Sequence, residues 1–147
     1  MYKRILVATD GSKLSQKAVE HGLGLADITG AEVVALKVIP RYPQTYFEGG
    51  VALAASEISK IEAQWQEEAM GVVNAVKAAG QKREIKVKAM TSKSDLVAEA
   101  IIAAAKRSKC DLIIMASHGR KGLKRLLLGS ETTHVLTHSH IPVLVLR

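Results

Sequence analysis

Cysteine is almost missing from this chain. Cys110 is the only one in 147 residues, so an intramolecular disulfide, a paired-cysteine zinc site and a CxxC redox pair are all excluded, and a reducing cytoplasm suits the protein. Aromatic residues are also few, with one Trp, three Tyr and one Phe. None lies among the cations of residues 120–125, where a single-stranded nucleic acid would need stacking partners, so specific nucleic-acid binding is not expected. No apolar run approaches the roughly 18 residues of a membrane span. The longest, "AEAIIAAAKR", is cut short by Lys106 and Arg107, and no membrane partner is expected. The opening "MYKRILVATDGS" has too brief an apolar stretch for a secretory signal. Internal repeats, linkers and low-complexity segments are absent as well.

What is present is enough for one ordinary core. With 48% hydrophobic residues over this length, a single domain spanning 1–147 is expected. Lys and Arg outnumber Asp and Glu by 21 to 14, a formal charge of +7, which favours anionic ligands without naming one. The apolar runs "RILVATD" and "AEVVALKVIP" read as buried parallel strands. Between them lies a helix with Ser12 as N-cap, Leu14, Ala18, Leu25 and Ala26 near one face, and Gly30 as its stop. "GLGLAD" inside that helix lacks the third glycine of a dinucleotide motif and does not open a helix after a strand. Residues 41–50 read as a loop whose Tyr42, Tyr46 and Phe47 pack back onto the body or onto a subunit, with covering a ligand as the alternative. A long helix over 53–79 carries Ile58, Ile61, Trp65, Val72 and Val76 as a core stripe, with Gly80 ending it. "EIKVKAM" alternates charged and apolar residues like a strand near a sheet edge. "SDLVAEAIIAAAKRSK" reads as a helix capped by Ser94 or Asp95, "DLIIMAS" as the most apolar strand, "ETTHVLTHS" as a short helix and "IPVLVL" as a last strand. Such β-α alternation predicts an α/β fold: an open, mainly parallel five-stranded sheet with helices on both faces, Rossmann-like.

In such sheets ligands bind beyond the carboxyl ends of strands where the strand order reverses. Two strand ends carry polar residues: Thr9, Asp10 and Ser12 after the first, and Ser117, His118 and Gly119 after "DLIIMA". From Gly119 a glycine-containing basic stretch with Arg120, Lys121, Lys124 and Arg125 runs to Gly129 and Ser130 at the start of a helix. A helix N-terminus offers unpaired amides and a positive dipole end to phosphate. No GKS or GKT follows at Walker A spacing. His134 and His138 stand one helical turn apart, but no acidic or cysteine ligand joins them at compelling spacing, so no metal site is expected. His118 is a loop histidine of hydrogen-bonding or packing type, and no catalytic residue is assigned.

Over its full length the chain resembles the universal stress protein family, UspA type, in its nucleotide-binding branch. Members that bind ATP share Gly, two residues, Gly, nine residues, then Gly with Ser or Thr. Here Gly119 and Gly129–Ser130 fill the last positions, Gly122 is an extra glycine within the nine, and Ala116 replaces the first glycine. The resemblance implies a small cytoplasmic stress-response protein, a sensor or adaptor that binds ATP with Mg. It implies a homodimer joined through the C-terminal strand "IPVLVLR". It places Asp10 near the ribose, main-chain groups of Val38 at the adenine, Ala8 and Thr9 along the crevice, and Met115 beneath base or ribose. His118 and Arg120 fall near the phosphates, and Ala116 could crowd the ligand if its position requires a positive φ. Glu131 suits the helix dipole yet would repel a nearby phosphate, so its direction decides its effect. A weak ATPase or phosphotransferase, and a nucleotide-free dimeric interaction protein, are the alternatives.

Overall fold

A computed structural model describes residues 1–43, 54–119 and 128–147. Its elements are β1 (Arg4–Ala8), α1 (Lys13–Thr29), β2 (Glu32–Ile39), α2 (Ala55–Gln81), β3 (Val87–Lys93), α3 (Val97–Arg107), β4 (Leu112–Ala116), α4 (Ser130–His138) and β5 (Val143–Leu146). The five strands form one sheet in the order β3-β2-β1-β4-β5, and every pairing is parallel. From β1 the chain steps outward to β2 and β3, then returns over the sheet to β4 and β5. Right-handed crossovers that reverse their direction of travel must change face. Accordingly α1 and α2 pack on one face and α3 and α4 on the other.

Two covered faces explain the uninterrupted apolar runs. In β1, Ile5 and Val7 pack under α1 and α2 while Leu6 joins the opposite core; in β4, Leu112 and Ile114 face one way and Ile113 and Met115 the other. The strand "EIKVKAM" is at the edge as its alternation suggests, but β3 begins later, at Val87. Residues before it close α2, with Ile85 N–H donating to Gly80 O at 2.9 Å and Glu84 at φ +58°.

Helix α1 has the expected ends: Ser12 accepts from Ser15 N–H, and Gly30 closes it at φ +74°. Its buried face is Ser15, Ala18, Gly22, Leu23 and Ala26, so Leu14 and Leu25 sit at the margin of the core. The first glycine of "GLGLAD" is a packing device, because a Cβ on Gly22 would overlap Val7 Cγ2. In α2 the expected stripe is displaced. The buried residues are Ala69, Val73, Val76 and Gly80, whereas Ile58, Ile61, Trp65 and Val72 are only partly covered. The amino-terminal half of this long helix extends past the layer that could bury it. Gly80 does not end α2, which continues to Gln81; it lets the helix approach Val87 of β3. Tyr42 does pack back, its ring 6.1 Å from that of Trp65. Tyr46 and Phe47 lie outside the described residues.

Candidate functional site

The reversal of strand order falls between β1 and β4, so the carboxyl ends of these two strands frame a crevice. Four polar side chains are buried among the described residues: Thr9, Ser15, Ser117 and Thr132. All four belong to this end of the sheet. Buried polar groups demand partners, and each has one. Ser15 Oγ donates to Ser12 O at 2.9 Å, so the hydrogen of the 3.0 Å Thr9–Ser15 contact comes from Thr9, whose oxygen accepts from Gly11 N–H at 3.2 Å. Thr132 Oγ1 donates to Ala116 O at 2.9 Å, and Ser117 Oγ lies 3.1 Å from His118 Nδ1. The turn after β1 is fixed by Asp10 Oδ1, which accepts from Ser12 N–H at 2.9 Å, and by Lys37 Nζ, which donates to Asp10 O at 3.2 Å.

A cavity of about 150 Å³ opens here, with Leu36, Val38, Val97, Ile101 and Met115 among its apolar walls and Asp10, His118, Gly119, Glu131 and Thr132 among its polar ones. Pockets for drug-sized ligands are roughly 300–1,000 Å³, so the space walled by the described residues is smaller than a whole site of that kind. Of the residues expected at a site, Ala8, Thr9, Asp10, Val38, Met115, Ala116, His118, Gly119 and Glu131 line this one space. Arg120 lies outside the described residues, as do Lys121, Gly122, Lys124 and Arg125. Gly129 and Ser130 are not in the cavity wall. The Gly129 N–H donates to Ser117 O at 2.7 Å and so joins the start of α4 to the end of β4.

Sheet register explains why Val38 has main-chain groups to offer. Ile39 O accepts from Ser94 N–H on the β3 side, and Leu36 O accepts from Thr9 N–H on the β1 side. Backbone groups of alternate residues therefore point to opposite neighbours, and Val38 points toward β1. The last β1–β2 pair is Ala8–Leu36, so the N–H and C=O of Val38 face the crevice.

Gly129 is the N-cap of α4 with φ −61°, so no left-handed conformation is needed there. What is needed is room, since a Cβ would stand 3.2 Å from Ser117 O and 3.3 Å from His118 Cα. Ala116 is extended within β4, opposite Leu146, and carries no positive φ. Its methyl therefore causes no backbone strain and matters only through the space it takes in the wall. Gly119 permits a close approach to Asp10, whose Oδ2 would lie 3.1 Å from an added Cβ.

Glu131 also has a definite direction. Its Oε2 accepts from Ala98 N–H at 2.9 Å, placing the carboxylate on the first turn of α3. That helix does not have the local cap expected for it: Leu96 stands at its N-cap without a side-chain bond, Ser94 Oγ accepts from Leu96 N–H, and Asp95 accepts from Arg41 N–H. Sequence patterning missed Ser15, Leu36, Val97, Ile101 and Thr132 in the wall. Ser15 carried a usable signal, a polar residue on the inward face of α1; the three apolar residues look like any core positions.

The opposite end of the sheet is held by charge. Arg4 donates to Glu32 Oε2 through Nε and Nη2 at 3.1 and 2.8 Å, and to Ser108 O through Nη1 at 2.8 Å. Bonds from Lys86 and then Arg4 hold the Glu32 carboxyl below its ordinary pKa. Cys110 is buried, and desolvation raises its thiol to about 11. His134 and His138 stack at 4.1 Å on α4, and among the described residues no group of three His, Cys, Asp or Glu could hold a metal ion. Nor is any described helix long and apolar enough to cross a membrane.

Comparison with known proteins adds relatives to this geometry. Residues 1–147 match the universal stress protein family. A universal stress protein of Methanocaldococcus jannaschii is 33% identical over 147 residues, covering all of this chain and 83% of the relative. The solved structure of a second protein from that organism is 30% identical, with TM-score 0.81 and coverage of 99% of this chain and 96% of the other. Two further structures share the fold. One is a universal stress protein in complex with cAMP, 20% identical with TM-score 0.72, covering 99% of this chain and 97% of the other. The second, from Archaeoglobus fulgidus in complex with dAMP, is 16% identical with TM-score 0.67, covering 99% and 98%.

Proposed function

The chain belongs to the universal stress protein family, and from that premise we propose that it is a cytoplasmic adenine-nucleotide-binding protein. The observation that carries this reading is the crevice between β1 and β4, where buried, hydrogen-bonded polar side chains meet an apolar slot. Adenine enters the apolar end between Val38, Val97, Ile101 and Met115, and its edge pairs with the main-chain N–H and C=O of Val38. Asp10 accepts from ribose hydroxyls. Phosphates run past His118 and Gly119 toward Gly129 and Ser130 at the start of α4. The complexes of relatives with cAMP and dAMP support an adenine ligand. We take the ligand to be ATP, with Mg to neutralise its charge.

Catalysis is not assigned. His118 Nδ1 lies 3.1 Å from Ser117 Oγ, a hydrogen-bonding role, and nucleotide occupancy is taken to serve sensing or adaptor work in a stress response, with slow hydrolysis at most. The proposed protein is a homodimer joined through β5. This strand lies at the sheet edge, and its Leu144 is 40% exposed; an apolar edge is protected by pairing. Removing residues 141–147 would test the fold rather than the dimer, because Leu146 O accepts from Ser117 N–H at 2.7 Å. Leu144→Glu keeps that bond and should give monomer in sedimentation, whereas an intact dimer would remove β5 from the interface.

Calorimetry on protein stripped by unfolding and refolding tests the nucleotide reading. ATP with Mg should bind, and Asp10→Ala should weaken ATP and adenosine while leaving inorganic triphosphate unchanged. Absence of binding, with no adenine nucleotide in mass spectra of the purified protein, would favour the nucleotide-free interaction protein instead. The Ala116 methyl in the wall is the observation on that side: Ala116→Gly should restore binding if that methyl excludes the ligand, and failure to restore it would mean that the crevice is not a nucleotide site.

A further inference from the structure

Two helix N-termini converge on the cavity. That of α4 contributes Glu131 and Thr132 to the wall, and that of α3 contributes Val97, with Ile101 one turn further on. Each is a positive dipole end able to draw an anion. At α3 the place is filled by the chain itself, since Glu131 Oε2 sits 2.9 Å from Ala98 N and α3 has no side-chain cap of its own. The carboxylate comes from the first turn of α4, so two dipoles hold its negative charge at the cavity wall. We infer that Glu131 sets the charge selectivity of the site: it closes the α3 terminus to phosphate and disfavours a ligand progressively as the ligand carries more negative charge. This rests on the adenine-nucleotide reading and specifies which members of that class bind best. Nucleosides and monophosphates tolerate the carboxylate, and di- and triphosphates bind well only as Mg complexes, in which part of their charge is neutralised.

Coulomb interaction makes the inference measurable. Between charges within about one Debye length in a largely aqueous setting, each additional ligand charge should change affinity by about twofold or more. Glu131→Gln keeps an oxygen acceptor for Ala98 N–H and removes the charge. Affinities of the intact protein and this variant are measured by calorimetry for adenosine, AMP, ADP and ATP at low salt, without Mg. Persistence of the Ala98 bond is followed by amide hydrogen exchange. The ratio of wild-type to variant Kd should be near one for adenosine and climb by about twofold or more with each added phosphate charge; the gradient should shrink in molar salt. Adenosine binding with a flat ratio across the series would overturn the inference, leave the nucleotide reading intact and reduce Glu131 to a helix cap. If neither protein binds any of the four, the nucleotide reading fails and this inference with it.

Discussion

Gly129→Ser separates two explanations of the glycine that begins α4. As an N-cap with φ −61° and ψ 152°, this position has ordinary backbone geometry, and serine there is worth a few tenths of a kcal/mol more than glycine. Helix capping alone therefore predicts a small stabilisation. Packing predicts the reverse. A Cβ would stand 3.2 Å from Ser117 O and 3.3 Å from His118 Cα, backbone atoms tied down by the 2.7 Å bond from Gly129 N–H to Ser117 O. Overpacking costs about 1–3 kcal/mol, and a shift of a few tenths of an ångström would relieve this contact, so the lower end applies. After subtracting the capping gain, a net loss of about 0.5–1 kcal/mol remains, or a fall in Tm of roughly 2–4 °C. Thermal denaturation by circular dichroism measures it. Nucleotide affinity should fall as well, because the displaced atoms belong to Ser117 and His118. A raised Tm with unchanged affinity would show that room at Gly129 is not the constraint.

Two glycines two residues apart in α1 should respond with opposite signs. Gly24→Ala adds a methyl with nothing within 4 Å and should stabilise by about 0.5–1 kcal/mol. Gly22→Ala gains the same propensity but drives a methyl into Val7, so overpacking of about 1–3 kcal/mol should prevail; equal Tm changes would refute the packing role. Cys110, with its thiol raised to about 11 by burial, should alkylate at pH 8 only at the rate of unfolding; rapid labelling of the native protein would contradict its burial. Glu32, whose carboxyl is lowered by Lys86 and Arg4, contributes stability that is present above the unfolded carboxylate range and lost as pH falls through its folded value. Glu32→Gln should therefore flatten the loss of stability between about pH 5 and 3, and an unaltered acid profile in chemical denaturation would exclude that contribution.

Much of the architecture was legible because the patterns are local. Ser12 and Gly30 mark the ends of α1 through capping chemistry that depends on a few neighbouring residues, and the Val, Ile and Leu runs of β1, β2 and β4 follow from burial on both faces. The stripe on α2 was misread because periodicity identifies an apolar face but not how far the neighbouring layer reaches. Ile58 and Trp65 share the spacing of Val76 without its burial. At the site, polar residues after strands were conspicuous, whereas Val97 and Ile101 were indistinguishable from core. The bond from Ala98 N–H to Glu131 spans 33 residues of sequence and joins two helix starts that only the crossover of α3 brings together. No local signal could assign Glu131 as the partner of α3 in place of Ser94 or Asp95.

Amide chemical-shift mapping locates the ligand on the protein, because Val38 reports through its main chain and needs no mutation. Addition of AMP to isotopically labelled, nucleotide-stripped protein should shift the amides of Val38, Thr9, Asp10, His118 and Gly119 together, with saturation at one stoichiometric equivalent. Those of Glu32, Lys86 and Ser108, at the opposite end of the sheet, should stay in place. An undisturbed Val38 amide, or shifts confined to that opposite end, would contradict an adenine site in the crevice between β1 and β4.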